Sequence, residues 1–545
     1  MAERGCYHLP MPSLNFKGKT LVQNFHLLVP YHELKPVKSK SLTDKVSLHD
    51  NLIVHGDNLQ ALKSLLPYYH GKVKCIYIDP PYNTGNENWV YNDNVSSPMI
   101  QEWLGKVVDR EDLTRHDKWL CMMMPRLKLL REFLTDDDVV AVSCDDNEGH
   151  RLRSIMEEIF GEECFLGQIV WKTRNTDNRV KSNVSEDHEY VLLYGRSERA
   201  VARGRKIDRS DFQNSDSDPR GSYVTDPLTG KAATRDRPNL HYDIVNPDTG
   251  DVYRPDPARG WITDKAGFKE LLSENRVWWP DNPSTGNPRK KRFLSETKER
   301  MPFSSFWSDL KGQSGADEVD AIMGRRAFAF PKSVEFMTRV LDYLCEEDAI
   351  VLDAFGGTGT TGHAILALNK SDSGHRRFIL IEGEDFADTL TAERLRRVIK
   401  GMPKPKDEAL RTGLGGSFSF IEVGHPMQLE TLLKADKLPS YANLASYIFY
   451  TATGEDFEES WINRKTGFIG ESAQYDVYLF YEPDIEYLKN TALTLDIARG
   501  LPKGSGKKRL VFAPTKYLDS IHLDEHRIEF CQLPFEIYKA VKRKP

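Results

Sequence analysis

At 545 residues the chain is too long for one ordinary core, so two or three domains are expected. A formal charge of −6 with 29% charged residues excludes a globally basic nucleic-acid coat but leaves room for local basic surfaces. Seven scattered cysteines form no CxxC and no Cys/His cluster of metal-ligand spacing, which argues against structural zinc and for a reducing compartment.

The opening stretch "MAERGCYHLPMPSLNF" lacks an apolar h-region, and no apolar run approaches the ~18 residues of a membrane span, so a cytoplasmic protein is expected. Residues 1–45 read as an N-terminal arm. From residue 51, "NLIVHGDNLQALKSLLPYYHGKVKCIYIDPPY" predicts a strand, a turn at Gly56 and Asp57, an amphipathic helix carrying Leu59, Leu62, Leu65 and Leu66, and a second strand. That is a βαβ unit and hence a parallel sheet. A helix at "WLCMMMPRLKLLREFL", the strand "DVVAVSC", the helix "GHRLRSIMEEIF" and the strands "GQIVWK" and "EYVLLYG" extend it, so residues 46–195 form the first half of an α/β domain. Residues 196–323 break the pattern with turn-rich text and read as an insertion. Regular α/β text resumes over residues 324–400, the second half of the sheet. After the polar linker "KGMPKPKDE", residues 401–545 alternate like an α+β domain.

Two turns carry the chemistry. In "VLDAFGGTGTTGHA", residues 351–364, a strand feeds Asp353 into a turn where Gly357 and Gly359 let backbone approach a ligand, and a helix opens at once with its N–H groups facing that ligand. Glu382 closes the next strand, about where Rossmann-like sheets set an acid on ribose hydroxyls. No Lys-Ser/Thr follows the glycines, which disfavours a triphosphate. In "CIYIDPPYNTG", residues 75–85, Asp79 ends a strand, the usual place for chemistry in an open α/β sheet. Pro80 and Pro81 fix φ and remove two N–H donors, which leaves the Pro80 carbonyl as an acceptor in a stiff direction. A carboxylate and a carbonyl suit a planar amino group, and Tyr82 offers a π-face for the ring that bears it.

In this order, "DPPY" before "FGGTGTT", the chain resembles the amino-methylating DNA methyltransferases of the β class. Further resemblance lies in "VHGDNLQAL", "HEYVLLY", "FPK" and "GWITDKAGFKELLSENRVWWPDN", and it is closest to the modification (Mod) subunits of type III restriction systems. The resemblance implies a Rossmann-like sheet with circularly permuted motif order. It implies S-adenosylmethionine (AdoMet) as cofactor, no metal, and an AdoMet pocket that includes Phe355, Lys332 and Asp57 beside Asp353, Gly357, Gly359 and Glu382. Asp79, Pro80, Pro81 and Tyr82 become the catalytic set. The implied reaction is methyl transfer to N6 of a flipped adenine in duplex DNA, in a restriction-modification or phage-defence system. The implied partners are double-stranded DNA, a second copy of the chain, and a restriction helicase-nuclease or other defence subunit. An N4-cytosine enzyme, a transferase on RNA, and a non-catalytic DNA-recognition or assembly subunit are the alternatives.

Sequence recognition is expected in the insertion. "NPRKKRF" offers Arg289, Lys290, Lys291 and Arg292 to phosphates, and Arg235, Arg237, Trp261, Trp278 and Trp279 are candidates for register or base reading. Charge runs are usually solvated faces and clustered tryptophans usually a small core, so each of these has a bland reading beside it. His188 reads as structural. The acids of "SCDDNE" read as a helix N-cap and first turn rather than a metal site.

Overall fold

The computed structural model describes residues 13–84, 114–181, 183–214, 216–310, 314–324, 328, 330–402, 408–426, 438–502 and 506–533. Ten strands form one sheet. In chain order they are β1 (His32–Pro36), β2 (Leu52–His55), β3 (Val73–Ile78), β4 (Leu134–Cys144), β5 (Phe165–Lys172), β6 (His188–Gly195), β7 (Phe306–Trp307), β8 (Ile350–Asp353), β9 (Arg377–Glu382) and β10 (Ser419–Pro426). They lie side by side as β1-β10-β2-β9-β8-β3-β4-β6-β5-β7. Neighbours from β10 through β4 are parallel, and antiparallel pairs flank them at β1 and at β6. The chain thus has a Rossmann-like α/β sheet in which the strand carrying Asp79 comes before the strand carrying the glycine turn.

Helices cover the sheet, and this explains why β8 is buried at every position: a parallel strand with both faces covered cannot alternate apolar with polar. Asp57 caps the helix Asn58–Tyr69 by accepting from the Gln60 N–H at 3.1 Å. A Thr114/Asp117 capping box opens the helix Arg115–Phe133, and Ser333 caps Val334–Leu344.

Two expected boundaries move. The N-terminal arm is tied into the fold from Phe16 onward: Phe16, Val22 and Phe25 are buried, and β1 pairs with β10. Residue 401 is not a domain edge, since β10 pairs with β2 inside the main sheet. Beyond it, the helix Tyr441–Thr453 packs on Asn58–Tyr69, where the Tyr68 hydroxyl donates to Ser446 Oγ at 2.9 Å. Tyr441, Leu444 and Phe449 share one core with Leu62 and Leu65. A four-stranded sheet, Phe468–Glu471, Tyr475–Leu479, Lys508–Ala513 and Ile528–Gln532, completes the C-terminal part.

Residues Gly204–Phe303 form a separate compact unit, narrower than 196–323. The helix Ser314–Met323 lies outside it, with the Ile322 carbonyl accepting from Arg397 Nη1 at 2.9 Å. Within the unit, Tyr223–Pro227, Arg289–Phe293 and Val277–Trp278 make a three-stranded antiparallel sheet, and Leu228, Tyr242, Ile244, Tyr253, Trp261 and Phe268 make a small core.

Candidate active site

Parallel pairing brings three acids to one edge of the sheet. Asp353 ends β8, Glu382 ends β9 and Asp79 follows the last residue of β3; β8 lies between the other two. The register aligns Leu352 with Ile76 and Asp353 with Leu380, so all three emerge at the carboxyl ends of adjacent strands.

The turn after β3 is held from behind. Trp119 Nε1 donates to the Pro81 carbonyl at 2.7 Å, whereas no described residue donates to the carbonyl of Pro80. Asn83, at a φ of 59°, is buried and donates through Nδ2 to the Arg115 carbonyl at 3.2 Å and to Glu148. The Glu148 carboxylate is buried too, with His116 Nδ1 at 2.5 Å and Arg151 Nη1 at 3.4 Å. Burying an unpaired carboxylate costs several kcal/mol, which these partners offset. Glu148 does not cap the helix Gly149–Phe160 with its side chain; it anchors the Asp79 turn through Asn83 instead. Among the described residues no group of three metal-ligating side chains occurs.

The Lys332 side chain is turned to the Asp79 turn. Its ammonium lies 3.0 Å from Asp79 Oδ1 and 2.9 Å from Oδ2, 2.8 Å from the Tyr82 hydroxyl and 3.2 Å from Glu189 Oε2. The Tyr82 hydroxyl in turn donates to Glu189 Oε2 at 3.0 Å. Burial pulls the lysine pKa down, but Asp79 and Glu189 outweigh it and hold the ammonium above the usual lysine value. Burial, with the charges of Asp79 and Glu189, also pushes the Tyr82 phenol well above its ordinary range. The Lys332 backbone reaches the glycine turn, where its carbonyl accepts from Thr360 Oγ1 at 3.2 Å. The one sequence signal for Glu189 is its place in "HEYVLLY", between His188 and Tyr190, which side-chain alternation turns to the opposite face. His188 Nε2 and the Tyr190 hydroxyl meet on that face at 2.8 Å.

At the glycine turn, Gly357 has a φ of 50° and Gly359 of 77°, and the helix Thr360–Asp372 follows at once. A Cβ on Gly357 would meet nothing nearer than the Phe355 carbonyl oxygen at 3.8 Å, so the space against this backbone is open. Glu382 accepts from the N–H groups of Gly357 at 2.6 Å and Glu384 at 2.9 Å. Burial pushes its carboxyl up to about 7 against those two donors. Burial likewise pushes Asp353 up to about 7, although Thr361 Oγ1 donates to it at 2.6 Å and the Phe355 N–H at 3.0 Å. Arg394, fully buried, braces the turn through Thr358 Oγ1 at 2.7 Å and Thr360 Oγ1 at 2.8 Å. Asp57 is committed to its helix cap and to Arg126 Nη2 at 3.2 Å. Its neighbour Asn58 reaches the turn, donating to the Ala354 carbonyl at 2.9 Å. An open backbone cradle beside a buried acid with no basic partner among the described residues fits a ligand that offers hydroxyl donors, as the ribose of AdoMet does.

In the separate unit, Lys291 is not available to phosphates. It lies 1% exposed, paired with Asp216 and, at 3.4 Å, with Asp218, because positions 291 and 293 of its strand face inward. Arg289 donates to Thr225 Oγ1 at 2.8 Å and to the Thr225 carbonyl at 2.7 Å, and Arg292 pairs with Asp226 at 2.8 Å. The Lys290 side chain makes no ion pair or hydrogen bond with another described residue. Arg235 and Arg237 are exposed, Arg235 beside Asp236 at 3.3 Å. Trp261 is core, its indole donating to the Tyr242 carbonyl at 2.7 Å, and Trp279 packs on Tyr253 and Phe268; Trp278 is half-buried.

The type III StyLTI Mod subunit of Salmonella typhimurium is 30% identical over 448 residues, covering 77% of this chain and 66% of that protein. The type II methyltransferase M.KpnI of Klebsiella pneumoniae is 32% identical over 373 residues, covering 65% of this chain and 85% of the relative. The type III EcoP15I Mod subunit of Escherichia coli is 28% identical over 499 residues, covering 77% and 76%. The alignment thus spans just under two thirds of the StyLTI subunit's length. A family profile described as DNA methylase, N6/N4, matches residues 73–392. That stretch starts with the first residue of β3, runs past Glu382 at the end of β9, and so takes in the Asp79 turn, the glycine turn and the unit between them: this chain belongs to the N6/N4 DNA methylase family.

Proposed function

We propose that this protein transfers a methyl group from AdoMet to the N6 amine of an adenine flipped out of duplex DNA, as the modification partner of a restriction system. The observation that carries the reading is the pairing of Asp79 with a Pro80 carbonyl that receives no hydrogen bond from any described residue, while Trp119 takes the next carbonyl. An adenine amine is a poor nucleophile because its lone pair is delocalised into the ring. Two acceptors that each take one N–H draw the nitrogen out of plane and free that lone pair. Positioning and electrostatics then supply the catalysis, and no covalent enzyme intermediate is needed. AdoMet, when bound, supplies a methyl group activated on a sulfonium. Gly357 gives it backbone approach and Glu382 accepts its hydroxyls. Extruding the base costs a few kcal/mol, which stacking on Tyr82 partly offsets.

The family supports DNA as substrate, and the relatives named Mod subunits support a restriction subunit as partner. Dimerisation is part of the same proposal, as is recognition of the target sequence by residues 204–303 through Arg235, Arg237 and Lys290. The described residues contain no helix long and apolar enough to cross a membrane, which fits work on cytoplasmic DNA.

The test is transfer of labelled methyl from AdoMet to unmodified DNA, followed by digestion to nucleosides and mass analysis. N6-methyladenine is the expected product. N4-methylcytosine would replace the substrate but keep the chemistry, and no modified base from folded protein that binds AdoMet would overturn the proposal.

A further inference from the structure

Amine capture at Asp79 draws on its carboxylate oxygens, and in the structure both already lie within 3.0 Å of the Lys332 ammonium, so a captured amine competes with that cation for their electron density. That ammonium has three N–H groups and four oxygens around it: two of Asp79, the Tyr82 hydroxyl and Glu189 Oε2, all within 3.2 Å. Lys332 is also nearly buried, its side chain 10% exposed. An amine that displaces it from Asp79 would strand a desolvated cation unless another anion takes it, and a stranded buried charge is the costly outcome.

We infer that Glu189 is a positioning residue for amine capture, providing the second carboxylate on which the Lys332 ammonium rests while Asp79 accepts the target amine. Glu189 already lies within reach of the ammonium and is fixed there by the Tyr82 hydroxyl, so the exchange needs only a rotation of the ammonium and a small shift of the lysine tip. The charge count is consistent: two carboxylates and one ammonium leave one negative charge for the amine, whereas Asp79 and Lys332 alone would form a neutralised pair. Tyr82, bonded to both Lys332 and Glu189, stays tethered throughout, which keeps its ring oriented for the base. The inference rests on the amine-capture reading above.

Two measurements test it. Thermal melting of Asp79→Asn, Glu189→Gln and the double variant reads the second seat without turnover. Either carboxylate alone holds the ammonium, so the double variant should lose more melting temperature than the sum of the single losses; strict additivity would overturn the inference. Steady-state kinetics of Glu189→Gln should show kcat lowered by roughly tenfold or more with the KM for AdoMet unchanged. Adding Lys332→Met to it should recover part of that loss, because no cation is left to strand. An unchanged kcat in Glu189→Gln, or a further loss in the double variant, would also overturn it. Wild-type protein that transfers no methyl group would strike the proposed function instead, and the melting comparison would still decide the role of Glu189.

Discussion

The indole N–H of Trp119 donates to the carbonyl of Pro81 at 2.7 Å, tying the Asp79 turn to the helix Arg115–Phe133 through a proline carbonyl that amine capture does not use. Trp119→Phe keeps an apolar ring at this buried position, removes the donor and gives up part of the indole's packing. An unsatisfied carbonyl costs about 1–3 kcal/mol, and the turn should drift. The expected result is a kcat lowered by roughly ten- to a hundredfold with AdoMet affinity intact, checked by methyl-transfer kinetics beside calorimetric AdoMet titration. An unaltered kcat would mean that the turn holds its shape without this bond.

Asp79→Asn should abolish methyl transfer and spare AdoMet binding. The amide keeps the shape of the carboxylate but halves its acceptor capacity and turns a donor toward the amine. Residual turnover near the wild-type rate, measured with labelled AdoMet, would remove Asp79 from the catalytic role.

The carboxyl of Glu382, pushed up to about 7 by burial, predicts a pH dependence of cofactor binding. Below that value it carries a proton; the ionised form that accepts hydroxyls grows as pH rises through it. AdoMet affinity should therefore rise by up to roughly tenfold between about pH 6 and about pH 8, with proton release on binding. Because the folded-state value lies above that of an unfolded glutamate, the same group costs the fold stability as pH rises from about 4.3 toward 7. Asp353 titrates in the same window. Glu382→Gln separates the two: it should weaken AdoMet and flatten the Glu382 part of the profile, and calorimetry in buffers of different ionisation enthalpy would show whether the proton belongs to Glu382.

Gly357→Val should eliminate AdoMet binding for two reasons that act together. A β-branched residue is strained at a φ of 50°, by about 1–2 kcal/mol, and its side chain fills the open space against the turn. Equilibrium dialysis showing wild-type affinity would move the cofactor elsewhere.

In the separate unit, Lys291 and Lys290 should behave oppositely. Lys291→Met removes the cation shared by Asp216 and the buried Asp218, leaving Asp218 its bonds from Arg220 and Asn275, and should destabilise the unit by about 1–3 kcal/mol in a denaturant melt. Lys290→Gln should leave stability unchanged and reduce the salt dependence of DNA binding by about one unit of slope if it meets a phosphate. An unchanged slope for Lys290→Gln and for Arg235→Gln with Arg237→Gln would shift DNA contact away from these residues.

Local patterns in the sequence were enough to write the βαβ unit, the helix Gly149–Phe160, the strand-end acids Asp79, Asp353 and Glu382, and the two turns that follow the strands. Each of these depends on neighbours a few residues away: an apolar run ends, a proline or glycine stops it, and a helix opens. Local text suggests an edge at 401 and a separate N-terminal arm, because β10 and β1 join the sheet by pairing with strands remote in sequence, a choice that no local period records. The same limit applied inside the site. Lys332 lies far along the chain from Asp79, and nothing in "FPK" tells whether its ammonium meets a cofactor or a carboxylate; the strand order that sets β3 beside β8 decided it for the carboxylate. Glu189, Glu148 and Trp119 became visible only once packing had turned a strand face, a buried acid and an indole toward one turn. In "NPRKKRF" the sequence determined four positive charges, and burial decided that Lys291 points inward to Asp216 and Asp218, since alternate residues of a strand with one covered face cannot all reach solvent.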